Sequence, residues 1–279
     1  MNDNTVVLIT GCSSGIGFST AIEFAKNGFV TYPTMRDLIK KNKLAEQLTN
    51  PENILELDVT NDASIDNTIS QIENKHGKID ILVNNSGFGL FGSFEDTSIE
   101  EFKQQMETNF FGSIRLMKKT IPLMKKNKSG KIINISSVGG ISGFPFMSSH
   151  ISSAFALEGL TESLRFELKK FGIQLSLIEM GGVNTKFFDN KILTKEALSN
   201  PDYSKSMTNY LGMIKNISEN SISPDTIAKK IIEVSNLEIL SPRYLVGDDA
   251  QQITNQKNLL SPLEYEKHIL NFMLNGIID

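Results

Sequence analysis

The chain has 279 residues, of which 39% are hydrophobic and 22% are charged, and this is the composition of an ordinary globular protein. Its formal net charge of −4 provides no basic surface for a phosphate backbone, so nucleic acid is excluded as an expected partner. A single cysteine excludes an internal disulfide, and no apolar stretch approaches the roughly 18 residues of a membrane span, so we expect a cytoplasmic protein without a membrane span.

Short apolar runs alternate with longer amphipathic segments along most of the chain. Strands are predicted at 5–10, 29–34, 53–58, 80–85, 131–136, 173–179 and 243–246. Helices are predicted at 16–27, 62–76, 99–126, 151–171, 224–236 and 262–275. Apolar strands separated by crossover helices are typical of a parallel sheet covered on both faces. The pattern therefore predicts a single α/β domain over residues 1–279, with a doubly wound Rossmann-type sheet of about seven parallel strands.

The regular alternation stops between residues 185 and 222. This segment is polar and rich in asparagine and lysine, but it also carries large apolar and aromatic side chains, among them Tyr203, Met207 and Tyr210. We interpret it as an inserted lid of short helices.

The stretch TGCSSGIG, residues 10–17, follows the first predicted strand and opens the first predicted helix. Gly11, Gly15 and Gly17 allow a tight turn, a close approach of the backbone to a diphosphate, and close packing of the helix on the strand. The start of the helix adds unpaired N–H groups and a positive dipole. A serine-capped turn has similar glycines, but this position favours a nucleotide-binding loop. Cys12 is expected to fill space in the loop rather than act as a nucleophile.

The spacing Thr-Gly-x-x-x-Gly-x-Gly resembles that of the short-chain dehydrogenase/reductase family. Further motifs follow in the order of that family: LDVT at 57–60, NNSG at 84–87, TNFFG at 108–112 and NISSVGG at 134–140. The resemblance covers about residues 5–186. The stretches TGCSSGIG, TMRDL and SVGGISGFPF are most similar to the hydroxysteroid and retinol dehydrogenase branch, so the resemblance implies an oxidoreductase that transfers hydride to or from a nicotinamide dinucleotide.

The resemblance implies a role for each motif. Asp58 and Val59 are expected beside the adenine. Asn109 is similar to an asparagine that holds a proton-relay water, and Ser137 stands where the family has its catalytic serine. The expected catalytic residues are Ser137, His150 and Asn109, and no metal ligand is expected. The expected cofactor-binding residues are Gly11, Ser13, Ser14, Gly15, Ile16, Gly17, Arg36, Asp58, Val59, Asn85, Gly87, Ala154, Val183 and Thr185.

The end of the second predicted strand indicates which dinucleotide is bound. Relatives that select NAD carry an acidic residue there, whose charge repels a 2′-phosphate. This chain has Thr34 near that point, followed two residues later by Arg36. The Arg36 guanidinium can hold a 2′-phosphate by charge-assisted hydrogen bonds, with Ser13 or Ser14 on the facing loop. NADP(H) is therefore the expected cofactor, and NAD(H) is the alternative, because Arg36 can instead pair with Asp37.

The residues expected to move the proton are missing from SSHISSAFALEG, residues 148–159. In the usual mechanism of the family, a tyrosine exchanges a proton with the substrate oxygen. A lysine four residues later lowers the pKa of that tyrosine and grips the nicotinamide ribose. Counted from Ser137, these two positions fall at His150 and Ala154.

Three interpretations of this replacement stay open. The first is a reductase in which His150 protonates the carbonyl, since an imidazole titrates near about 6.5 without help from a lysine. The second is a nucleotide-binding protein without turnover, either natural or engineered. The third is an isomerase or lyase in which His150 acts and the nucleotide is idle or absent. His150 also fits a polar residue at a pocket rim with no catalytic task.

The stretch EMGGVNT follows the sixth predicted strand. Met180 stands where the family has proline, and this is a third change around the expected nicotinamide. The resemblance places Val183 and Thr185 beside the nicotinamide carboxamide and the diphosphate.

Apolar side chains near these motifs predict the substrate class. They are Phe88, Leu90, Phe91, the GFPF stretch at 143–146, Met147, Phe187 and Phe188. Such a wall suits a large apolar carbonyl compound or secondary alcohol as the small-molecule substrate, for example a steroid, a retinoid or an acyl chain. The helices at 99–126 and 151–171 carry long apolar stripes, and the equivalent helices of relatives pair across a two-fold axis, so the resemblance implies a homodimer or homotetramer.

Overall fold

The computed structural model describes residues 4–185 and 191–274, and its main sheet has seven parallel strands in the order β3-β2-β1-β4-β6-β7-β9. The strands are β1 (Val6–Ile9), β2 (Val30–Met35), β3 (Leu55–Glu56), β4 (Ile81–Asn84), β5 (Leu90–Phe91), β6 (Gly130–Ser137), β7 (Ile173–Met180), β8 (Ile192–Leu193) and β9 (Arg243–Val246). Strands β5 and β8 form a separate parallel pair. The predicted Rossmann-type sheet of about seven strands is confirmed.

Helices cover both faces of the main sheet. They are α1 (Gly15–Lys26), α2 (Asn42–Ala45), α3 (Asp62–His76), α4 (Ile99–Met106), α5 (Gly112–Asn127), α6 (Ser148–Leu168), α7 (Ser204–Glu219), α8 (Pro224–Asn236), α9 (Asp248–Leu259) and α10 (Pro262–Leu274). None of these helices within the described residues is both long and apolar enough to cross a bilayer.

The two faces of β1 show how the core is divided. Val7 and Ile9 pack with the apolar residues of α1 and α8, whereas Val6 and Leu8 pack with those of α3, α5 and α6. Successive side chains of a strand point to opposite faces, so an all-apolar strand requires helices on both sides. A third apolar cluster lies where α7 and α10 meet the strand pair β5–β8.

The structure corrects two predicted elements and adds a helix that was not predicted. The helix predicted at 99–126 is divided by a π-helical segment, Glu107–Phe111, into α4 and α5. The segment predicted as several short helices contains one long helix, α7, and Met207 and Tyr210 of this helix are buried in the third cluster. Helix α9 was not predicted, because its sequence is largely polar and lacks an apolar stripe.

The topology of the main sheet opens a crevice at one of its edges. Strand β1 pairs with β2 on one side and with β4 on the other, so the winding of the chain reverses direction between β1 and β4. In doubly wound sheets a crevice opens at this point, at the carboxyl ends of the strands. The glycine-rich stretch 10–17 follows β1 at this edge.

Candidate dinucleotide site and active site

The glycine-rich loop adopts a backbone that side chains would disturb. Gly11 and Gly15 have φ angles of +73° and +58°, in the left-handed region that favours glycine. Gly17 is buried, and a Cβ at this position would lie 2.5 Å from Asn85 Nδ2 and closer still to the Gly11 carbonyl oxygen. These contacts leave room only for hydrogen at position 17.

Hydrogen bonds from the loop after β4 hold the glycine loop in place. The backbone N–H groups of Asn85 and Ser86 each donate to Thr10 Oγ1 over 2.9 Å. Asn85 Nδ2 donates to the Thr10 carbonyl at 2.9 Å and to the Gly11 carbonyl at 3.2 Å. Asn85 therefore lines the cavity and also fixes the shape of the loop.

The start of α1 is open to an anion. Its N-cap residue, Ser14, makes no side-chain capping bond, and the first turn contains no acidic residue. A helix start without a side-chain cap presents N–H groups and a positive dipole to a phosphate. Thr185 lies beside this turn, because a Cβ added at Gly15 would be 3.4 Å from its Cβ. The loop, the helix start and Thr185 thus fit a dinucleotide diphosphate.

Two cations stand at the far end of the same cavity. Arg36 and Lys40 are exposed and line the cavity beside the loop at residues 57–60. Val59 packs against α5, where a Cβ on Gly112 would meet its Cγ2 at 2.7 Å. Lys40 was missed by the sequence prediction, which stopped at Arg36.

The candidate catalytic end of the cavity lies where β6 ends and α6 begins. Ser137 Oγ accepts a hydrogen bond from the Gly139 N–H at 3.0 Å, so its own hydroxyl hydrogen can be donated to a substrate oxygen. A Cβ added at Gly139 would lie 2.9 Å from Ser137 Oγ and 4.0 Å from His150 Cδ2. Ser137 and His150 therefore approach the same small region.

Asn109 grips the loop that follows the NNSG motif. Its Oδ1 accepts from the Phe88 N–H at 3.1 Å, and its Nδ2 donates to the Phe88 carbonyl at 3.0 Å. The same Nδ2 lies 3.5 Å from His150 Nδ1. Asn109 belongs to the π-helical segment, and such segments are frequent at functional sites. The structure thus brings Asn109 and His150 together.

The environment of His150 changes its acid–base properties. The side chain is enclosed by protein except where it faces the cavity, and this burial lowers its pKa from 6.5 to about 4, although a hydrogen bond with the Phe88 backbone opposes the shift. At pH 7 the imidazole is neutral. The ordinary imidazole pKa assumed from the sequence is therefore wrong, because a cation is poorly solvated there.

Two further positions that the sequence analysis singled out also face the cavity. Ala154, one turn after His150 on α6, and Met180, paired with Ser137 in the β6–β7 register, both line it. The Gly181–Gly182 turn after Met180 is held by Asp249, whose Oδ2 accepts from the Gly182 N–H at 2.6 Å. Asp249 was missed, although its place just after the last strand of a parallel sheet puts it at the ligand-binding edge.

One cavity of about 1350 Å³ connects these features. All the predicted catalytic and cofactor-binding residues line it except Gly17, which is buried beneath the loop. Cys12 is buried, and burial raises the pKa of its thiol to about 12, so it is no nucleophile at neutral pH. Within the described residues, no group of three or more histidine, cysteine or acidic side chains is arranged to hold a metal.

The wall on the substrate side is apolar and comes from elements that are far apart in sequence. Its members include Phe88, Phe144, Met147, Ile192, Tyr210, Ile214, Ile253, Phe272 and Met273. Leu90 and Phe91 were predicted for this wall but are buried in the core. Phe187 and Phe188 lie outside the described residues. The contribution of α9 and α10 was missed, because no local motif marks their tertiary contact with the cavity.

The fold and the glycine loop define a Rossmann-type nucleotide-binding protein. Residues 5–196 match the family model described as short chain dehydrogenase. The chain therefore belongs to the short-chain dehydrogenase family, as the motifs indicated.

Two curated relatives are closely similar to the chain. A 3-ketodihydrosphingosine reductase of Bacteroides thetaiotaomicron is 37% identical over 229 residues, 82% of each protein. Human retinol dehydrogenase 8 is 42% identical over 200 residues, 69% of this chain and 63% of the relative. The similarity to a retinol dehydrogenase agrees with the branch that the sequence indicated.

Solved structures give the same family relationship. A short-chain dehydrogenase from Streptomyces avermitilis superposes with a TM-score of 0.81 and 29% identity, over 98% of this chain and 99% of the other. ElxO, solved with NADP bound, gives a TM-score of 0.70 and 30% identity over 86% of this chain and 97% of its own. The chain is thus a short-chain dehydrogenase-type oxidoreductase by family.

Proposed function

We propose that the protein transfers hydride between NADP(H) and a small apolar ketone, aldehyde or alcohol. The observation that carries this proposal is the single cavity that joins the glycine loop and Arg36 to Ser137 and His150. The Bacteroides relative is named as a reductase of a ketone and the human relative as a dehydrogenase of retinol. A cavity with apolar walls and a few polar groups at one end suits substrates of this kind.

The cofactor preference is supported by charge. Among the described residues that line the cavity, the cationic side chains are Arg36 and Lys40, and both lie at the end of β2 or just beyond it. A 2′-phosphate there would gain two charge-assisted interactions. The bound dinucleotide would supply or accept the hydride, and Ser14, Gly15 and Thr185 would hold its diphosphate.

Ser137 and His150 would act on the oxygen of the substrate. The Ser137 hydroxyl would donate a hydrogen bond to this oxygen. His150 is neutral at pH 7, so it is ready to accept a proton from an alcohol. In the opposite direction it must first be protonated, and with a pKa of about 4 only about one molecule in a thousand is protonated at pH 7. Protonation of His150 therefore limits carbonyl reduction near neutrality.

Ala154 lacks the two contributions that a lysine at this position would make to the reaction. Its methyl group cannot hold the nicotinamide ribose or supply a positive charge beside the reacting oxygen. General acid–base groups typically contribute about 10²- to 10⁴-fold to a rate, so we expect slow turnover on a scaffold that still binds the dinucleotide.

We further infer a homodimer, with a homotetramer as the alternative. Ile99 on α4, Phe111 in the π-helical segment and Phe155 on α6 are 64%, 43% and 45% exposed. Ile99 and Phe111 border a surface groove of about 370 Å³. Parts of the predicted stripes, such as Met117 and Leu168, are instead buried in the core. Light scattering during size-exclusion chromatography should give about twice the mass of one chain.

The decisive experiment restores the family residues. We expect the double variant His150→Tyr with Ala154→Lys to reduce apolar ketones at least about tenfold faster than the native chain, because a phenol next to a lysine is an effective proton donor at neutral pH. Turnover is followed by loss of NADPH absorbance, and NADPH affinity by fluorescence titration. Phe166→Tyr is the matched control, because it adds a phenol to the same helix at an exposed site that does not line the cavity.

Each alternative interpretation has its own outcome. Tight NADPH binding with no turnover before or after the double replacement would contradict the proposal and favour a binding protein. Conversion of the substrate without consumption of NADPH would favour an isomerase or lyase. If the control variant gains as much activity as the double variant, the role assigned to positions 150 and 154 is wrong.

A further inference from the structure

A cluster of charged side chains lies behind the catalytic end of β6 and does not line the cavity. Glu158 on α6 and Glu179 on β7 are only 6% and 1% exposed, and Arg243 on β9 lies between them. Glu162, one turn after Glu158, is half exposed and also contacts Arg243. The proposed reaction uses none of these groups.

Arg243 does not satisfy both buried carboxyl groups in the structure. Its Nε carries one hydrogen and donates to Glu158 Oε2 at 3.2 Å. Glu179 Oε1 lies 3.1 Å from the same Nε, yet it has no well-aligned hydrogen-bond donor. The Nη2 group of Arg243 donates instead to Glu162 at 3.0 Å. One cation therefore faces three carboxyl groups.

This arrangement requires a proton. Two carboxylates that are buried together and share one cation repel each other, and neither is well solvated. Burial, repulsion by Glu158 and a hydrogen bond with Glu158 raise the pKa of Glu179 to about 8, against the opposing attraction of Arg243. A proton on Glu179 would give the pair a hydrogen-bond donor that Arg243 does not provide.

We propose that Glu158 and Glu179 hold one proton between them at neutral pH and act as positioning residues for Ser137. The link is Ser136, whose Oγ donates to Glu158 Oε1 at 2.8 Å. Ser136 pairs with Glu179 in the β6–β7 register and directly precedes Ser137. The protonated pair thus ties the end of β6 to the helix that carries His150.

The elements packed against Glu179 carry further charged and titratable groups, which act on it less directly. Helix α6 contributes Glu158, Glu162 and Arg165, strand β7 contributes Glu179, and strand β9 contributes Arg243 and Tyr244. Arg165 interacts with Arg243 and Tyr244. Glu158 and Arg243 are the two charged groups that act on Glu179.

The first test is stability as a function of pH. Because the pKa of Glu179 is raised on folding, its contribution is present in acid and is lost as pH rises towards about 8. Between pH 6.5 and 8, the urea unfolding constant extrapolated to water should rise about sixteenfold, because the rise is close to tenfold per pH unit at first and levels off as the pH reaches the pKa of about 8. Glu179→Gln should abolish this rise, and Glu158→Gln should reduce it, because it removes the repulsion but not the burial of Glu179. Glu162→Gln is the matched control and should retain it.

Two further readouts separate positioning from simple stability. Difference infrared spectra at pH 7 should contain the C=O band of a protonated carboxyl group, and this band should be missing in Glu179→Gln. Only the second of these readouts, the turnover rate, depends on the proposed function. The ratio of kcat for Glu179→Gln to kcat for the native chain should rise about fourfold from pH 7 to 8.5, the change in the protonated fraction for a pKa of about 8, with KM for NADPH unchanged. His150 affects both proteins equally, so it cancels in the ratio.

The outcomes are distinct. No rise in the unfolding constant of the native chain between pH 6.5 and 8, or an equal rise in Glu179→Gln, would overturn the shared proton. A constant kcat ratio would overturn the positioning role. Absence of turnover in every variant would reject the proposed function, while the infrared and unfolding results would still decide on the proton. If Glu179→Gln does not fold, Glu158→Gln and the native chain provide the same test.

Discussion

The two halves of the cavity are built on different principles. In the dinucleotide half, the site consists mainly of backbone: the turns at Gly11 and Gly15, the close approach at Gly17 and the start of α1. In the candidate catalytic half, the site consists mainly of side chains at the end of β6 and on α6, among them Ser137, His150 and Ala154.

Because of this difference, dinucleotide binding and catalysis depend on different parts of the structure. A backbone site keeps its shape as long as its glycines and the bonds from Asn85 are present, and both are intact. Catalysis depends on the pKa of a few side chains, and burial has moved that of His150 far from neutrality. The comparison predicts a protein that binds its dinucleotide well and uses it slowly.

The largest expected effect concerns pH and the catalytic half. From pH 5 to pH 8 the rate of ketone reduction should fall about tenfold per unit, or about a thousandfold, because the protonated fraction of His150 falls in this proportion above its pKa of about 4. Alcohol oxidation should lack this dependence, since the neutral imidazole is already the base. The measurement is kcat at saturating NADPH and ketone.

The pH experiment needs a check on folding. The lowered pKa of His150 means that its contribution to stability is present above about 6.5 and is lost as pH falls towards 4, so circular dichroism must accompany each rate. The variant His150→Tyr with Ala154→Lys should lose the dependence. A rate of ketone reduction that does not change with pH in the native chain would show that another group delivers the proton. The low pKa of His150 would then not explain slow catalysis.

The next largest effect concerns the dinucleotide half. Gly17→Ala should weaken NADPH binding by about a hundredfold, equivalent to about 2.7 kcal/mol, because the added methyl group would displace the Gly11 carbonyl and the Asn85 amide. Fluorescence titration measures the change.

Gly159→Ala provides the matched control. A Cβ at Gly159 meets nothing within 4 Å, and alanine in this exposed position of α6 should stabilise the fold by about 0.5–1 kcal/mol. Its NADPH affinity should be unchanged. Equal NADPH affinity in both glycine variants would mean that the loop does not form the binding site.

Local signals predicted much of the fold. The bounds predicted for α3 and α8 agree with the structure, because side-chain caps at Asn61 and Ser223 start these helices and Gly77 ends α3 at a φ of +70°. The glycine loop was equally visible, since its geometry depends on residues that are close in sequence.

Features that depend on tertiary contacts were not predicted. The π-helical segment forms where Asn109 grips Phe88, and Asp249 reaches back to Gly182 across 67 positions of the chain. The low pKa of His150 likewise follows from enclosure by distant segments. Sequence patterns report the residue types in such a site but not how far each is removed from water.

The smallest expected effect concerns the end of the dinucleotide half where the 2′-phosphate would bind. Arg36→Ala should weaken NADPH binding about fivefold and leave NADH binding unchanged, because an exposed arginine contributes only about 1 kcal/mol to a phosphate contact in water. Lys41→Ala is the control, since Lys41 is exposed on the same segment but does not line the cavity. Parallel titrations with both dinucleotides measure the difference. Equal losses for NADPH and NADH in Arg36→Ala would place Arg36 away from the 2′-phosphate, and Lys40 would then be the residue to replace.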